Sequence, residues 1–278
     1  MLEIQLYSLF FIYLYTHLNA YLALLPRTMS KLLVVVLTTV IGRPLLYQLS
    51  QSRGIKYSLG VIHMPSTNFS AELQHTLQSE RNFASIEKHS NLVKQHSKWH
   101  WHHDQSKRLF FNYLLLDPRI TNGLKNRAKS MHQLDVWLTF LRAIFYVGKG
   151  KSTRPYVHLR QAHKVLRSAN PLVLAKDPKL ALIVHLWKHQ RGVLLLRAFK
   201  GISSNDAHTR EAAMIDALGL NHLTNRRVGV YFGVARSKFT TEQRRLLGVV
   251  LLYRLLLIYL KYDERELQPA NISDNLTT

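Results

Sequence analysis

The sequence of 278 residues contains no cysteine and only 16 acidic residues. Without thiols the chain cannot form disulfides, zinc sites built on thiolates, iron–sulfur centres or the nucleophile of a thiol protease. The shortage of carboxylates argues against a two-metal hydrolase, which needs a cluster of Asp and Glu. The residues are 47% hydrophobic and 19% charged, which is too apolar for a chain that is disordered throughout. We expect one domain with a full core, plus a tail.

Positive charge is what the chain has in excess. There are 38 Lys and Arg residues and a formal net charge of +22, most of it within residues 107–265. Such a surplus concentrates phosphate polyanions at the surface. Nucleic acid is therefore the first partner to consider, anionic membrane is the second, and a merely soluble basic surface is the alternative.

Residues 1–50 form a hydrophobic N-terminal segment. Residues 4–26 carry no formal charge and are long enough to span a bilayer, which takes about 20 apolar residues, although several tyrosines would lie in mid-span. The run at 32–42 is too short to cross alone, and the absence of a basic n-region argues against a secretory signal. Three interpretations stay open: a membrane anchor with membrane contact through 4–26, a hydrophobic hairpin lying against the domain, and translation from an incorrect gene start.

Residues 51–105 are polar and predict a linker. Within them, His96, His100, His102 and His103 alternate with two tryptophans in a spacing that could bind a transition metal adventitiously. No regular element is predicted to fix the imidazoles, so we expect a solvated, His-rich stretch ahead of the domain.

Short apolar runs closed by turn residues predict three strands, at 109–117, 143–148 and 192–199. A long excursion containing Asn122-Gly123 joins the first two. The turn GKGKSTRP follows the second strand and leads into a helix with Pro155 in its first turn. Further helices are predicted at 178–190 and 206–218. These elements predict an α/β (α+β) domain at 106–265, with a small three-stranded sheet flanked by helices.

The C-terminal part predicts one long helix. Thr240 and Gln243 have the spacing of a capping box, and the run from there to about Tyr262 is apolar all round apart from Arg254. Such a helix is usually buried, here against the N-terminal segment, and contact with a partner groove or a membrane is the alternative. Residues 266–278 are expected to form a tail.

Several separated residues resemble the pattern of the GIY-YIG nucleases. In chain order they are Tyr113, the triplet Tyr146-Val147-Gly148, Arg154 with His158, Glu211 and Asn225. The stretches FNYLLLDPR, AIFYVGKGKSTRPYVHL and TREAAMIDALGLNHLTN are also similar to the nuclease domain of ankyrin-repeat and LEM-domain endonucleases, which act on branched DNA. The resemblance covers roughly residues 108–233. The first glycine of the family name is Phe111 here, and neither ankyrin periodicity nor a LEM domain precedes the domain.

The resemblance implies a set of functional residues, and their chemistry suits phosphodiester hydrolysis. Glu211 is suited to hold one Mg²⁺ or Mn²⁺, because water and phosphate fill the other positions of such an ion. Arg154 is suited to grip the phosphate with its planar fork. Tyr113 is the general base by resemblance, which requires that Lys149, Lys151 and Arg154 stabilise its phenolate.

The remaining residues have supporting roles in this hypothesis. Tyr146 positions the attacking water or assists through its hydroxyl. His158 is a catalytic residue by resemblance, or it caps or packs the helix. Asn225 orients a metal ligand or caps a turn. The supporting glycines and the further cations for DNA are Gly148, Gly150, Lys149, Lys151, Arg226 and Arg227.

These observations predict a metal-dependent DNA endonuclease, selective for branched or structured DNA, with a role in DNA repair or in resolving DNA intermediates in the nucleus and/or cytoplasm. The main alternative is a non-catalytic nucleic-acid-binding protein that retains the nuclease fold. The third is a basic membrane-associated protein whose likeness to a nuclease is accidental.

Overall fold

The structure is a computed structural model that describes residues 69–168 and 176–273. The hydrophobic N-terminal segment, with its predicted anchor at 4–26 and the apolar run at 32–42, lies outside the described residues. Within the described ranges, no helix is both long enough and apolar enough to cross a membrane.

The polar stretch that ends at residue 105 is helical where the structure describes it. Its elements are α1 (Ala71–His75), α2 (Glu80–Ala84), a 3-10 turn (Ser85–His89) and α3 (Ser90–His103). Leu73, Phe83, Ile86 and Val93 are buried against the rest of the domain, and this packing stabilises helices too short to persist alone. The prediction of a linker is wrong for this part, because one or two buried side chains per short helix make too sparse a pattern to recognise.

The histidines of α3 divide into two pairs. His96 and His100 are fully buried, whereas His102 and His103 are exposed. The expectation of a solvated stretch therefore holds only for the second pair. The first pair lies on the face of α3 that packs against the domain.

An antiparallel sheet forms the centre of the domain that the described residues build. Its strands are β1 (Phe110–Leu116), β2 (Ile144–Gly150), β3 (Val193–Ile202) and β4 (Glu266–Leu267), in the order β2-β1-β3-β4. The three predicted strands are confirmed. The sheet has four strands rather than three, because the segment expected to be a tail returns to pair with the start of β3.

Glu266 is the residue that fixes the fourth strand. Its carboxylate accepts hydrogen bonds from the Arg191 guanidinium at 2.7 Å and from the Gly192 backbone amide. A charge-assisted pair of this kind holds the chain at the sheet edge although the strand has only two residues.

Helices fill the connections between the strands. The excursion from β1 to β2 contains α4 (Pro118–Thr121), α5 (Leu124–Arg127), a 3-10 turn (Ala128–Ser130) and α6 (Gln133–Ala143), with Asn122 and Gly123 in the left-handed conformation between α4 and α5. After β2 come α7 (Arg154–Ser168) and α8 (Pro178–Lys188), and after β3 comes α9 (Ser204–Leu218). Pro155 lies in the first turn of α7 and Pro178 begins α8, as the sequence predicts.

The C-terminal elements close the core. They are α10 (Gly233–Ser237), α11 (Thr241–Tyr259) and α12 (Ala270–Ser273). Thr240 and Gln243 form the predicted capping box at the start of α11. This helix packs against α9, α1, α3 and α6, so its apolar surface is buried by helices of the described part of the chain. The core lies between these helices and the sheet.

Candidate active site

Tyr113 faces α7 from the central strand β1. Its neighbour Asn112 donates a hydrogen bond to the Ala207 carbonyl of α9, while the Tyr113 hydroxyl lies 3.0 Å from His158 Nε2 on α7. Successive residues of a strand point to opposite faces, so α7 and α9 are reached from opposite sides of β1. The phenol is 1% exposed.

Gly148 makes room for this phenol. Tyr113 pairs with Gly148 across the β1–β2 ladder, and a Cβ added at Gly148 would lie 2.3 Å from Tyr113 Cζ. No side chain other than hydrogen fits there. The glycine of the Tyr146-Val147-Gly148 triplet therefore has a steric role, which is to let the tyrosine ring lie across the neighbouring strand.

The phenol of Tyr113 keeps its proton in this environment. Burial raises its pKa far above the ordinary value, Tyr146 raises it further, and Arg154 opposes the shift. Burial together with the charges of Lys179 and Arg154 lowers the pKa of His158 to about 3. His158 is thus a neutral imidazole, and its Nε2 lies within hydrogen-bond distance of the Tyr113 hydroxyl.

Tyr146 completes an aromatic cluster with these two groups. Its ring centroid lies 6.1 Å from that of Tyr113 and 5.0 Å from that of His158. Burial and the Glu211 carboxylate raise the pKa of the Tyr146 phenol. Both tyrosines of the pattern are therefore neutral hydrogen-bonding groups in one cluster.

Lys179 belongs to the same cluster, although no sequence pattern singled it out. Its Nζ lies 4.6 Å from the centroid of the Tyr146 ring, a cation–π contact. Burial lowers the pKa of Lys179, with the neighbouring Asp177 opposing the shift. The only signal in the sequence is that Asp177 and Pro178 mark a helix start, which brings Lys179 to the site only through tertiary packing.

Arg154 is positioned by the second glycine of the turn. A Cβ added at Gly150 would lie 2.5 Å from both Cβ and Cγ of Arg154, so the arginine stem rests on the backbone at the end of β2. The Arg154 side chain is exposed. Its charge acts on Tyr113, Tyr146 and His158, so the guanidinium is both near the aromatic cluster and accessible to solvent.

Glu211 lies on α9 and is paired with Lys149 of β2. The Lys149 ammonium donates to Glu211 Oε2 at 2.7 Å, and the carboxylate side chain is 12% exposed. Burial raises the pKa of Glu211, while the Lys149 charge lowers it. Lys149 therefore neutralises this carboxylate. Lys149, Lys151 and Arg154 are predicted to stabilise a Tyr113 phenolate, and of these Arg154 is the one whose charge lowers the pKa of Tyr113.

Asn225 is hydrogen-bonded to the backbone of β2. Its side-chain oxygen accepts from the Val147 amide at 3.0 Å and its amide nitrogen donates to the Val147 carbonyl at 2.8 Å. This pair of bonds imitates a strand partner on the outer edge of β2. The residue stabilises the strand that carries Tyr146 and Gly148, and the predicted role of orienting a metal ligand stays a prediction.

The other predicted DNA-binding cations lie outside the cluster. Lys151 and Arg227 are exposed. Arg226 lies 3.5 Å from the Asp177 carboxylate and donates to the Lys176 carbonyl. These three residues remain predictions for contacts with DNA.

The four side chains that the hypothesis requires share one electrostatic environment. The Glu211 carboxylate and the Arg154 guanidinium each act on the phenols of both Tyr113 and Tyr146. Among the described residues there is no group of three His, Asp or Glu side chains placed to hold a metal ion. One carboxylate can suffice for a hard divalent ion, which takes water and substrate oxygens for its other positions, but Lys149 competes with such an ion for Glu211.

Sequence comparison relates the chain to known proteins. The sequence model of the LEM-3-like GIY-YIG domain matches residues 110–274. The chain is 44% identical over 162 residues to ankyrin repeat and LEM domain-containing protein 1 of Mus musculus and 43% identical over 162 residues to the Homo sapiens protein. It is 34% identical over 128 residues to the Caenorhabditis elegans homolog.

The aligned regions are a minor part of these relatives. They cover 58% of this chain, but 30% of the mouse protein and 26% of the human protein. For the Caenorhabditis elegans homolog the shares are 46% and 17%. No solved structure matches the chain.

Proposed function

The chain belongs to the family of LEM-3-like GIY-YIG domains, and on that premise we propose that it is a metal-dependent endonuclease that hydrolyses phosphodiester bonds in branched or otherwise structured DNA. The observation that carries the proposal is the cluster of Tyr113, Tyr146 and His158 on the face of the sheet toward α7, the helix that also carries Arg154. Glu211 is tied to the same strand β2 through Lys149. The preference for branched DNA follows from the similarity to the nuclease domain of the LEM-domain endonucleases. A role in DNA repair, in the nucleus and/or cytoplasm, is part of the same proposal.

Arg154 binds the scissile phosphate in this proposal. Its guanidinium donates two parallel hydrogen bonds to non-bridging oxygens, where negative charge builds as the bond breaks. Because Gly150 lets the arginine stem lie on the backbone, the guanidinium is held in position before the substrate arrives. Less freedom is then lost on binding.

Tyr113 and His158 move the proton of the attacking water. As the water attacks, the Tyr113 oxygen accepts its proton while the phenolic proton passes to His158 Nε2, which lies 3.0 Å away. The phenol stays neutral throughout, so no buried phenolate has to form. The charge of the incoming phosphate favours the imidazolium that results.

Glu211 is the residue that would hold the metal ion. When bound, a Mg²⁺ or Mn²⁺ ion supplies Lewis-acid stabilisation of the phosphate and polarises water. For Glu211 to hold the ion, Lys149 would have to release the carboxylate, and its ammonium would then be available to a substrate phosphate. Tyr146 orients the attacking water with its hydroxyl.

The test is cleavage by the purified chain of labelled flap, fork, four-way and linear duplex DNA, in Mg²⁺ and in EDTA. We expect cleavage of the branched substrates in Mg²⁺ only. Glu211→Gln and Tyr113→Phe should each lower the cleavage rate by about 10²–10⁴-fold and leave DNA binding largely intact. Glu242→Gln removes the same charge at the exposed start of α11 and should cleave like the wild type.

Two other results would contradict the proposal. DNA binding without cleavage in any divalent metal would support the non-catalytic nucleic-acid-binding protein. Absence of DNA affinity together with a requirement for detergent would support the membrane-associated alternative.

A further inference from the structure

A cavity of about 600 Å³ lies along the outer edge of β3. It exists because β4 pairs only with Val193 and Leu194, so the rest of that edge has no strand partner in the described part of the chain. The opposite wall is the segment that follows α11, including Tyr262 and Arg265. The volume falls in the range of about 300–1,000 Å³ that is usual for small-molecule sites.

Arg197 lines this cavity from β3 and is held by two aromatic rings. Its guanidinium carbon lies 4.9 Å from the centroid of the Tyr156 ring and 5.5 Å from that of Phe111. No residue within 69–168 or 176–273 forms a hydrogen bond or an ion pair with the Arg197 guanidinium. Ring stacking therefore orients a planar fork whose N–H donors are free for a ligand, and such a fork matches the oxygens of a phosphate.

The cavity begins one strand away from the proposed active site. Arg197 pairs directly with Tyr113 in the β1–β3 ladder, and facing residues of an antiparallel pair lie about 5 Å apart. Tyr156 follows Arg154 by two positions on α7. The cavity therefore lies on the same face of the sheet as Tyr113, one strand away from it.

The charge of the cavity favours an anion. Its rim also carries Lys200 and Arg265, both exposed. The two carboxylates of the rim have partners of their own, since Asp263 pairs with Lys125 and Glu264 accepts from the Tyr259 hydroxyl.

Tyr262 supplies a flat apolar surface in the same cavity. Its side chain is among the large exposed ones, with 65% of its surface accessible. An exposed aromatic ring beside a cationic groove is the usual platform on which proteins stack unpaired bases.

We propose that this cavity is a nucleotide subsite, in which Arg197 binds a backbone phosphate and Tyr262 stacks on the base of an unpaired nucleotide next to the cleaved bond. The proposal rests on the proposed function for the identity of the polymer. A base can stack on a side chain only when it is not in a duplex stack, so the subsite selects DNA with single-stranded nucleotides beside the cut.

The direct test is binding of a fluorescently labelled tetrathymidylate to the full chain, measured by anisotropy in EDTA so that no cleavage occurs. We expect Arg197→Gln to weaken binding by about tenfold or more and Tyr262→Ala by at least about fivefold. Arg197→Lys keeps the charge but loses the planar fork, and should bind with intermediate affinity. It serves as the second variant should Arg197→Gln fail to fold. Arg236→Gln removes the same charge from exposed α10, at the far end of α11, and should bind like the wild type.

Competition with inorganic phosphate separates a nucleotide site from a simple anion site. Phosphate should displace the probe weakly, with equal potency in the wild type and in Tyr262→Ala. Unchanged probe binding in both Arg197→Gln and Tyr262→Ala would overturn the subsite. A loss in Arg197→Gln alone would reduce it to a phosphate site. Dimerisation of the chain that Arg197→Gln abolishes, with no effect on the probe, would assign the edge of β3 to a second copy.

A parallel cleavage assay distinguishes failure of the subsite from failure of the proposed function. Cleavage that depends on Glu211 but not on Arg197 or Tyr262 would leave the nuclease intact and overturn the subsite. Probe binding that depends on Arg197 and Tyr262, in a chain that cleaves no DNA, would support the subsite and overturn the nuclease.

Discussion

Gly148 and Gly150 determine where two functional side chains lie. A methyl group at either position would occupy the space of the Tyr113 ring or of the Arg154 stem. Both neighbours belong to the proposed catalytic set, so these glycines influence chemistry without touching substrate. The spacing Gly-Lys-Gly also directs Lys149, between them, toward Glu211 on α9.

We predict that Gly148→Ala lowers the cleavage rate by about 100-fold, because a shift of about 1 Å in a reacting group costs that much. The measurement is single-turnover cleavage of a flap substrate, with thermal melting to check folding. Gly201→Ala is the control, since a Cβ there meets nothing within 4 Å although φ is +76°. It should cost about 1 kcal/mol of stability and leave the rate unchanged. Equal rates for Gly148→Ala and the wild type would show that Tyr113 need not occupy this position.

The pH dependence of cleavage tests how Tyr113 acts. The pKa of His158 is about 3 and the pKa of Tyr113 is raised above its ordinary value, so neither group changes charge between pH 6 and 9. A relay through the neutral pair predicts a flat rate over this range. The rate should fall in acid as Glu211 takes up a proton, at a pH above the ordinary carboxylate pKa because burial raises its pKa. A tenfold rise per pH unit would instead indicate a Tyr113 phenolate.

At the scale of elements, a buried polar network joins α3 to the helix that carries Glu211. His96 Nε2 lies 2.8 Å from Asp206 Oδ1, and the Arg210 guanidinium bridges Asp206 to the Ser97 hydroxyl. Asp206 is 3% exposed and Arg210 is 7% exposed. Since Arg210 immediately precedes Glu211, the network fixes the rotation of α9 about its axis.

We predict that Asp206→Asn destabilises the protein by about 3–5 kcal/mol, the usual cost of removing one partner from a buried ion pair. The buried Arg210 charge would then have no carboxylate. Chemical denaturation measures the loss, and Asp216→Asn on the same helix is the comparison. Asp216 accepts from the half-buried Tyr231 hydroxyl, so its neutralisation should cost less. A similar loss in both variants would show that the network has no special weight.

At the scale of the whole molecule, the N-terminal helices are part of the domain. The elements that pack against α11 are α1, the 3-10 turn at Ser85–His89 and α3, and α3 also contacts α9 and α10. A fragment that begins at about Lys98 would divide α3 and remove His96. The packed domain therefore extends beyond the region of resemblance at 108–233.

We predict that a fragment of residues 106–278 is much less stable than one of residues 69–278. Removal of residues 69–105 would expose the faces of α9 and α11 that Leu73, Ile86 and Val93 cover. Each of these side chains contributes about 1.5–3 kcal/mol to stability when buried. Solubility and melting temperature of the two purified fragments measure the difference. Equal melting temperatures would show that the helices are dispensable.

Much of the fold could be predicted from local patterns in the sequence. The three main strands, the prolines that begin α7 and α8, and the capping box of α11 depend on residues close together in the chain, so their patterns are visible in the sequence. The short helices before β1 and the two-residue strand β4 are not visible, because distant contacts rather than local propensity stabilise them. For the same reason, burial of His96 and His100 escaped prediction.

The sequence by itself determined the identity and order of the site residues, since Tyr113, Tyr146, Arg154, His158 and Glu211 match a family pattern at fixed places in the chain. The tertiary structure alone decided their physical state. Burial keeps both phenols protonated and His158 neutral. Lys149 forms an ion pair with Glu211, and Lys179 contacts the Tyr146 ring. Asn225 stabilises an edge strand through hydrogen bonds to Val147. The reason is that desolvation and charge pairing depend on which distant segments meet, whereas a motif records only which side chains are present.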